Sequence, residues 1–403
     1  MTMHTSFASR MNILRASDIR EILKVTQNPD MISFAGGLPA PELFPNRAIA
    51  AIAQEILTTR AGIALQYSPT EGYQPLREHI AARMNALWST QLHGEEIMVT
   101  TGSQQGLDLI GKLFLDEGDV VICESPTYLG AVMAFNVFKP RWAEIATDDD
   151  GMDLRALEQA LQEERRVKMI YVVPNYQNPT GRTWSTERRR GLLVLAERYG
   201  VPIIEDNPYG ELTFEGEKPS AIQAMGEADL VISLGTFSKI FCPGLRIGWI
   251  AARRPFLDKF VVLKQAADLH SSTLDQMIAS LYMERHDLEE DLKEKRDVYR
   301  RRRDAMLGAL EAEMPPGVRV THPQGGLFLW LELPGDVDAR TLLHVSLTRG
   351  VAFVPGDSFF PTTQRRNTMR LNFSNMPEER IVEGIRRLAT ALKELLENVA
   401  APV

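Results

Sequence analysis

Cysteine and long apolar runs are scarce in this sequence. The chain of 403 residues has two cysteines, Cys123 and Cys242, too few for a disulfide framework or for the clustered thiolates of a zinc site. No apolar run approaches the ~18 residues that a membrane span needs, and the first residues lack the basic-then-apolar pattern of a secretory leader. These absences predict a cytoplasmic protein with no metal centre and no membrane partner.

An excess of basic residues is also missing. The sequence carries 45 lysines and arginines against 53 acidic residues, a net charge of −8. This balance argues against a general nucleic-acid-binding protein, because such proteins need a basic surface. The one basic cluster, Arg300 to Arg303, lies in a charge-mixed stretch that is typical of a solvated helix face.

The sequence does contain a regular alternation of strands and helices, which indicates an α/β fold. Its strands are almost continuously apolar, as in a parallel sheet covered on both faces. The predicted strands are Ile97–Thr101, Val120–Glu124, Met169–Val173, Val201–Glu205 and Leu230–Leu234. The predicted helices among them lie over Gln104–Leu115, near Ala131, and over Leu154–Glu164 and Glu187–Tyr199.

The length of the chain predicts a second subdomain, because one hydrophobic core seldom serves 403 residues. Residues 281–314 are predicted to form one long charged helix that leads to it. Beyond this helix, strands that begin at Val318, Leu327, Val351 and Met369 alternate with helical stretches, and a last amphipathic helix begins near Glu378.

Polar residues follow the ends of the predicted strands. Ligands of open α/β sheets lie beyond the carboxyl ends of the strands, so these residues should converge on one crevice. They are Gly102 and Ser103, the stretch Ser125 to Tyr128, residues 174–181, Asp206 to Tyr209, and Thr236 to Lys239.

The stretch from Ser233 to Ile250 contains the most informative of these residues. Lys239 follows an apolar strand, lies beside Thr236 and Ser238, and precedes Arg246 at the start of a second apolar strand. A lysine of this kind can form an imine with an aldehyde cofactor, while hydroxyls and a bidentate arginine hold a phosphate. From these residues alone, the alternative is a surface lysine and an arginine at the end of a strand.

Several motifs occur together and in order: Asn178-Pro-Thr-Gly181, Asp206-x-x-Tyr209, Ser238-Lys239 with Arg246, and Arg370 in Met-Arg-Leu-Asn-Phe-Ser. In these the chain resembles the class I/II aminotransferases, which are pyridoxal-phosphate enzymes of fold type I. The runs SDIREILK, SFAGGLPAPELFP, LQYSPTEGY and TTGSQQGLDL make it similar to the subgroup of 2-aminoadipate aminotransferase and kynurenine aminotransferase II.

The resemblance implies a fold and an assembly. A large domain with a mostly parallel seven-stranded sheet would bind the cofactor, and a smaller α+β domain would accompany it. The implied boundaries are residues 1–45 for an N-terminal arm that belongs to the small domain, 46–295 for the large domain and 296–403 for the small one. The functional unit would be a homodimer, in which Tyr67 reaches the cofactor phosphate of the neighbouring subunit.

The resemblance also assigns the cofactor contacts. Lys239 would bond covalently to the pyridoxal phosphate aldehyde and, once released, move a proton at the substrate Cα. Asp206 would pair with the protonated ring nitrogen, Asn178 and Tyr209 with the phenolic oxygen, and Tyr128 would stack on the ring. The implied phosphate ligands are Ser103, Gln104, Thr236, Ser238 and Arg246.

Further residues would meet the substrate. Arg370, with Asn178, would clamp the α-carboxylate, and Gly37 would leave room beside the backbone. Ser17 and Arg20, on a short N-terminal helix, match the subgroup's positions for a distal carboxylate, although Arg20 could equally pair with an acid on its own helix. Asn207-Pro208 departs from the acidic or small residues expected there.

The resemblance therefore implies a ping-pong aminotransferase of broad specificity, acting on 2-aminoadipate, glutamate, aromatic or aliphatic amino acids with a 2-oxo acid such as 2-oxoglutarate. A lyase, decarboxylase or racemase on the same cofactor is an alternative, since all would share Lys239 and Asp206. A transcription regulator with an aminotransferase-like domain is a second alternative. It would need a winged-helix module, for which we expect no room because the pattern begins by Ser17.

Overall fold

The apolar runs of the sequence build one large central sheet in the computed structural model. The structure describes residues 6–12, 14, 30–218, 220–225, 229–335 and 337–400. Within these residues no helix is both long and apolar enough to cross a membrane, and no group of three or more His, Cys, Asp or Glu side chains could hold a metal ion. Ser17 and Arg20 lie outside the described residues.

The large sheet contains seven longer strands, the number that the resemblance implies, and one short addition. The strands are β2 (Ile97–Thr101), β3 (Val120–Ser125), β4 (Arg141–Asp148), β5 (Gly151–Met152), β6 (Val167–Val172), β7 (Ile203–Asp206), β8 (Val231–Thr236) and β9 (Ile247–Ala251). In spatial order they run β2-β9-β8-β7-β6-β3-β4-β5; the two-residue β5 pairs only with β4 and extends one edge. Neighbours from β8 to β4 are parallel, whereas β9 runs antiparallel to β2 and β8.

Strand β4 was missed by the strand prediction, which placed nothing between the helix near Ala131 and the helix from Leu154. Ile145 is its one buried residue. The strand lies near the edge of the sheet, where polar side chains are tolerated and protect against unwanted pairing. A search for continuous apolar runs therefore passes over it.

Helices cover both faces of the large sheet, as successive residues of one strand show. Ile203 belongs to a buried cluster with Leu157 and Leu192, and Ile204 belongs to a separate cluster with Leu107. Successive strand residues point to opposite faces, so the two clusters lie on opposite faces of the sheet.

The described helices of the chain, in order, are α1 (Asn46–Thr59), α2 (Ala61–Ala64), α3 (Gln74–Trp88), α4 (Ser103–Phe114), α5 (Leu129–Asn136), α6 (Leu154–Glu163), α7 (Thr186–Tyr199), α8 (Arg254–Ala267), α9 (Thr273–Arg285), α10 (Leu288–Glu313), α11 (Ala339–Thr348) and α12 (Glu378–Ala400).

A second sheet lies in the C-terminal part of the chain. The remaining strands are β1 (Ile32–Ser33), β10 (Arg319–Val320), β11 (Phe328–Glu332), β12 (Val351–Ala352), β13 (Val354–Pro355) and β14 (Thr368–Asn372). Four of them pair antiparallel in the order β10-β11-β14-β13, and the N-terminal strand β1 pairs in parallel with β12, so that Ile32 lies beside Val351. The proposed assignment of residues 1–45 to the small domain needs such a pairing, but the three domain boundaries stay predictions.

The prediction of one long charged helix over residues 281–314 was wrong at its start, because two helices share this range. Helix α9 ends at Arg285, and α10 begins at Leu288. Asp287 separates them, because its side chain accepts a hydrogen bond from the backbone N–H of Glu289 at 2.9 Å. This satisfies one of the free N–H groups at the start of α10. The continuous charge pattern concealed this cap.

Replacing the cap should loosen the start of α10. We expect Asp287→Ala to lower the free energy of unfolding by about 1 kcal/mol, because the Glu289 N–H loses its acceptor. Urea unfolding of the purified protein measures this change. Lys293→Ala, at an exposed position of the same helix, is the matched control and should change stability by less than ~0.5 kcal/mol. Equal losses in both variants would contradict the capping role of Asp287.

Candidate functional site

The polar residues that follow the strand ends meet in one cavity of about 340 Å³. Its wall combines the carboxyl ends of the parallel strands with residues of the second sheet and of the N-terminal segment. The lining residues are Gly37, Ser103, Gln104, Tyr128, Val173, Asn178, Asp206, Pro208, Tyr209, Thr236, Ser238, Lys239, Pro243, Arg246, Phe328 and Arg370. Tyr67 is the one described residue of the predicted site that lies elsewhere.

Lys239 provides the nucleophilic amine of the cavity. Its Nζ donates a hydrogen bond to the carbonyl oxygen of Gly37 at 2.7 Å. Loss of hydration, followed by the positive charges of Arg370 and Arg246, lowers the pKa of the amine to about 8. At neutral pH a useful fraction of this lysine is therefore uncharged and able to attack a carbonyl group.

Asp206, at the end of β7, provides a carboxylate with one oxygen to spare. The residue is 2% exposed. Its Oδ2 accepts a hydrogen bond from the hydroxyl of Tyr171 at 2.7 Å, and its Oδ1 has no partner among the described residues. Burial raises the pKa of Asp206 to about 6, against the effect of the Tyr171 hydrogen bond. A buried acceptor left open in this way suits a protonated ring nitrogen.

A recess of the cavity lies where β2 turns into α4. Gly102 adopts a φ of 72° before the first helical residue, Ser103. A Cβ added at Gly102 would lie 2.4 Å from a guanidinium nitrogen of Arg246, so only glycine permits this approach. The start of α4 offers free backbone N–H groups and the positive end of the helix dipole.

Short hydroxyl side chains complete this recess. Thr236 Oγ1 donates a hydrogen bond to Ser238 Oγ at 2.9 Å and accepts one from the Ser238 backbone N–H at 3.1 Å. The side-chain amide of Gln104 turns away to donate to the carbonyl oxygen of Gly130 at 3.1 Å, which leaves its backbone for an anion. The recess thus combines a cation, hydroxyls and a helix N-terminus.

Arg370, on β14, is a buried cation in the wall of the cavity. It is 2% exposed and donates to the carbonyl oxygen of Ala35 at 2.6 Å and to Asn178 Oδ1 at 2.8 Å. Its guanidinium lies 4.3 Å from the Phe328 ring centroid and 5.2 Å from that of Phe359. Burial lowers its pKa to about 10, so it stays charged at neutral pH. In the described part of the chain no carboxylate pairs with it, which leaves it available to a ligand carboxylate.

Two tyrosines and Asn178 fill the space between these charges. Asn178 Nδ2 donates to the Tyr209 hydroxyl at 3.4 Å, and the Tyr209 ring meets Phe328 edge-on at 5.8 Å. Burial raises the pKa of Tyr128 to about 12 and that of Tyr209 further, so both hydroxyls keep their protons. A Cβ at Gly130 would lie 2.4 Å from the Tyr128 ring, which shows how closely the backbone supports that ring.

The sequence interpretation missed several residues of this site. Tyr171 carried a weak signal, since a tyrosine in an otherwise aliphatic buried strand needs a partner for its hydroxyl. Phe328 and Phe359 carried none, because they look like ordinary core residues.

Tyr67 was predicted but lies outside the cavity of its own chain. It is 79% exposed, and its ring meets that of His270 edge-on at 5.9 Å.

The geometry fits pyridoxal phosphate. The open Oδ1 of Asp206 can receive the ring nitrogen, the recess at Gly102 and Arg246 can take the phosphate, and Lys239 can reach an aldehyde between them. The fit depends on residues from several strand ends that only the folded chain brings together.

Comparison with known proteins shows the family of this chain. The family "Aminotransferase class I and II" matches residues 30–388. The aromatic-amino-acid aminotransferase 1 of Thermococcus litoralis is 47% identical over 396 residues, which cover 97% of this chain and 95% of the relative.

Two solved structures are similar along almost the whole chain. Pyrococcus horikoshii kynurenine aminotransferase, in complex with PMP and with KYN and KYA as substrates and products, has a TM-score of 0.93 at 44% identity and covers 97% of both chains. LysN, the alpha-aminoadipate aminotransferase of Thermus thermophilus, complexed with N-(5'-phosphopyridoxyl)-L-leucine, has a TM-score of 0.91 at 44% identity and covers 97% of this chain and 98% of its own. The chain therefore belongs to the class I and II aminotransferases, the pyridoxal-phosphate-dependent transaminases of fold type I.

Proposed function

We propose that this transaminase carries out both half-reactions in the cavity around Lys239, with an L-amino acid as donor and a 2-oxo acid as acceptor. The observation that carries the proposal is the combination of a lysine of lowered pKa with two buried and incompletely partnered charges, Asp206 and Arg370. Residues that hold opposite charges inside a protein without neutralising them are typical of sites that receive charged ligands.

Pyridoxal phosphate, when bound, supplies an aldehyde that bonds to amines and a ring that withdraws electrons from the substrate Cα. Asp206 Oδ1 would hold the ring nitrogen in its protonated form. Tyr209 and Asn178 would hydrogen-bond the phenolic oxygen, and Tyr128 would pack on the ring face. The phosphate would lie among Ser103, Gln104, Thr236, Ser238 and Arg246.

Lys239 and Arg370 would govern the chemistry of the substrate. Arg370, held by Ala35 and Asn178, would fix the α-carboxylate beside Gly37. Lys239 Nζ would then remove the proton from the substrate Cα and hold it for return. A clamped carboxylate is kept from leaving, so this arrangement favours C–H cleavage over the decarboxylase alternative. The comparisons support a transaminase, not the lyase, racemase or regulator alternatives.

A homodimer would complete the site. Tyr67 is exposed in its own chain, and so are its neighbours Ile63 and Leu65, at 58% and 70%. Large apolar side chains clustered on a surface indicate an interface. In a two-fold dimer the same segment is buried on both subunits, so Tyr67 could reach the partner's phosphate recess.

Substrate breadth rests on the relatives. Their names include aromatic amino acids, kynurenine and aminoadipate, and we infer a similarly broad range here, with 2-oxoglutarate as an acceptor and the cytoplasm as the location. Recognition of a distal carboxylate by Ser17 and Arg20 stays a prediction. Initial rates for a panel of amino acids with 2-oxoglutarate and pyruvate would identify the preferred pair.

The lowered pKa of Lys239 predicts how the cofactor is taken up. Only the uncharged amine reacts, so the rate at which the apoprotein bonds pyridoxal phosphate should rise with pH, with its midpoint near 8, and level off at higher pH. Stopped-flow absorbance measures this rate. Lys239→Ala should form no covalent bond and should lose about a thousandfold or more in kcat.

Lys295→Met is the matched control for Lys239→Ala. Lys295 is also a buried lysine whose pKa is lowered by loss of hydration, but it does not line the cavity. This variant should keep the covalent bond and its pH profile. A midpoint near the ordinary lysine value of 10.5, or a covalent bond in Lys239→Ala, would contradict the assignment.

Removal of the Arg370 guanidinium should weaken substrate binding. We expect Arg370→Ala to raise KM for amino acids by about a hundredfold, because two charge-assisted hydrogen bonds are lost, while the cofactor stays bound. Steady-state kinetics with cofactor absorbance as a parallel reading tests this. Arg366→Ala, at a side chain that is 70% exposed, is the control, and an equal rise in KM there would remove Arg370 from substrate recognition.

The dimer proposal predicts complementation between two inactive variants. Tyr67→Ala and Lys239→Ala should each have low activity as homodimers. When they are mixed and allowed to exchange subunits, half of the heterodimer sites combine an intact Lys239 with an intact Tyr67 from the other subunit. Activity should therefore recover. If Tyr67 acted within its own subunit, no site in the mixture would be complete and activity would stay low.

A further inference from the structure

Tyr171 contacts the site through Asp206 but belongs to none of the sequence motifs. It lies in β6 with its ring fully buried, and its hydroxyl donates to Asp206 Oδ2 at 2.7 Å. The parallel register places Tyr171 beside Ile204 on β7. Asp206 follows Ile204 by two residues and so points to the same face of the sheet. Because the tyrosine side chain is long, its hydroxyl reaches Asp206 at the end of β7.

We propose that Tyr171 is a positioning residue for transamination: by occupying Oδ2 of Asp206 it directs Oδ1 toward the cofactor ring and keeps the carboxyl ionised. The inference rests on the role proposed for Asp206. It follows from the difference between the two carboxylate oxygens of Asp206: Oδ2 is hydrogen-bonded to Tyr171, and Oδ1 is open.

The surroundings fix Tyr171 as a donor. Phe135 packs against its ring edge-on at 5.8 Å, which restricts the orientation of the ring. Burial and the charge of Asp206 raise the pKa of the hydroxyl well above its usual value, so the proton stays on the oxygen. A neutral donor satisfies the buried carboxylate without cancelling its charge, whereas a lysine or arginine at this position would compete with the ring nitrogen.

The decisive experiment compares two ligands in the apoprotein of Tyr171→Phe. The first is pyridoxamine phosphate, whose amine cannot bond covalently to Lys239, so its affinity reports only the non-covalent contacts. The second is its analogue with carbon in place of the ring nitrogen. Isothermal titration should show that Tyr171→Phe binds pyridoxamine phosphate about tenfold more weakly than the unmodified protein does. The two proteins should bind the analogue with the same affinity.

Two comparisons separate positioning from general damage. Tyr282→Phe removes another hydrogen bond between a buried tyrosine and an aspartate, the one to Asp291, and should leave the preference for the ring nitrogen unchanged. In an Asp206→Asn background, Tyr171→Phe should cost no further affinity, because the two residues act as one unit. The ratio of the two affinities is read within each protein, so a uniform loss of stability cancels.

The outcomes distinguish the two assignments. If Tyr171→Phe left the ratio of the affinities for pyridoxamine phosphate and its analogue unchanged, the positioning role of Tyr171 would be overturned, and the role of Asp206 would stand. Equal affinities for both ligands in the unmodified protein would overturn the role of Asp206 and that of Tyr171 with it. Kinetics provide a second reading, in which Tyr171→Phe should lower kcat about tenfold with little change in KM for the amino acid.

Discussion

Asp206 and Arg370 are buried charges whose hydrogen-bond partners among the described residues are neutral. Tyr171 donates to one oxygen of the carboxylate, and a backbone carbonyl, an amide and two aromatic rings surround the guanidinium. A buried charge without an opposite charge is costly, and an internal ion pair would lower that cost. It would also close the site, because a ligand would then have to displace the partner. Neutral donors and acceptors leave each charge free to act on a ligand.

Two positive charges, those of Arg370 and Arg246, would couple cofactor binding to substrate binding through Lys239. Arg370 and Arg246 both lower the pKa of this amine, and both are placed to meet anions. A phosphate at Arg246 and a carboxylate at Arg370 would weaken their positive field. Lys239 is therefore most nucleophilic at neutral pH in the empty site and becomes a stronger base as the ligands arrive. Arg370 lies on β14 and Lys239 follows β8, so the coupling joins two sheets.

The parts of the fold that could be predicted are those in which one physical requirement dominates. A parallel strand covered on both faces must be apolar, so β3, β6, β7 and β8 were found and their polar ends identified most of the cavity. Strand β4 escaped because an edge strand has no such requirement, and the start of α10 escaped because a single capping side chain, Asp287, decides it. Residues that act on other residues were also missed. Tyr171 and Phe328 are informative only once their neighbours Asp206 and Arg370 are known.

The proposed breadth of substrates would follow from which charges line the cavity. Every α-amino acid has the same carboxylate, Cα and amine, and these are the groups that we propose Arg370 and Lys239 to contact. The described lining offers no buried charge beyond those assigned to the cofactor and the α-carboxylate. We therefore infer that discrimination among side chains depends on residues outside this lining. Relatives named for aromatic amino acids, kynurenine and aminoadipate are consistent with a fixed reaction centre and a variable entrance.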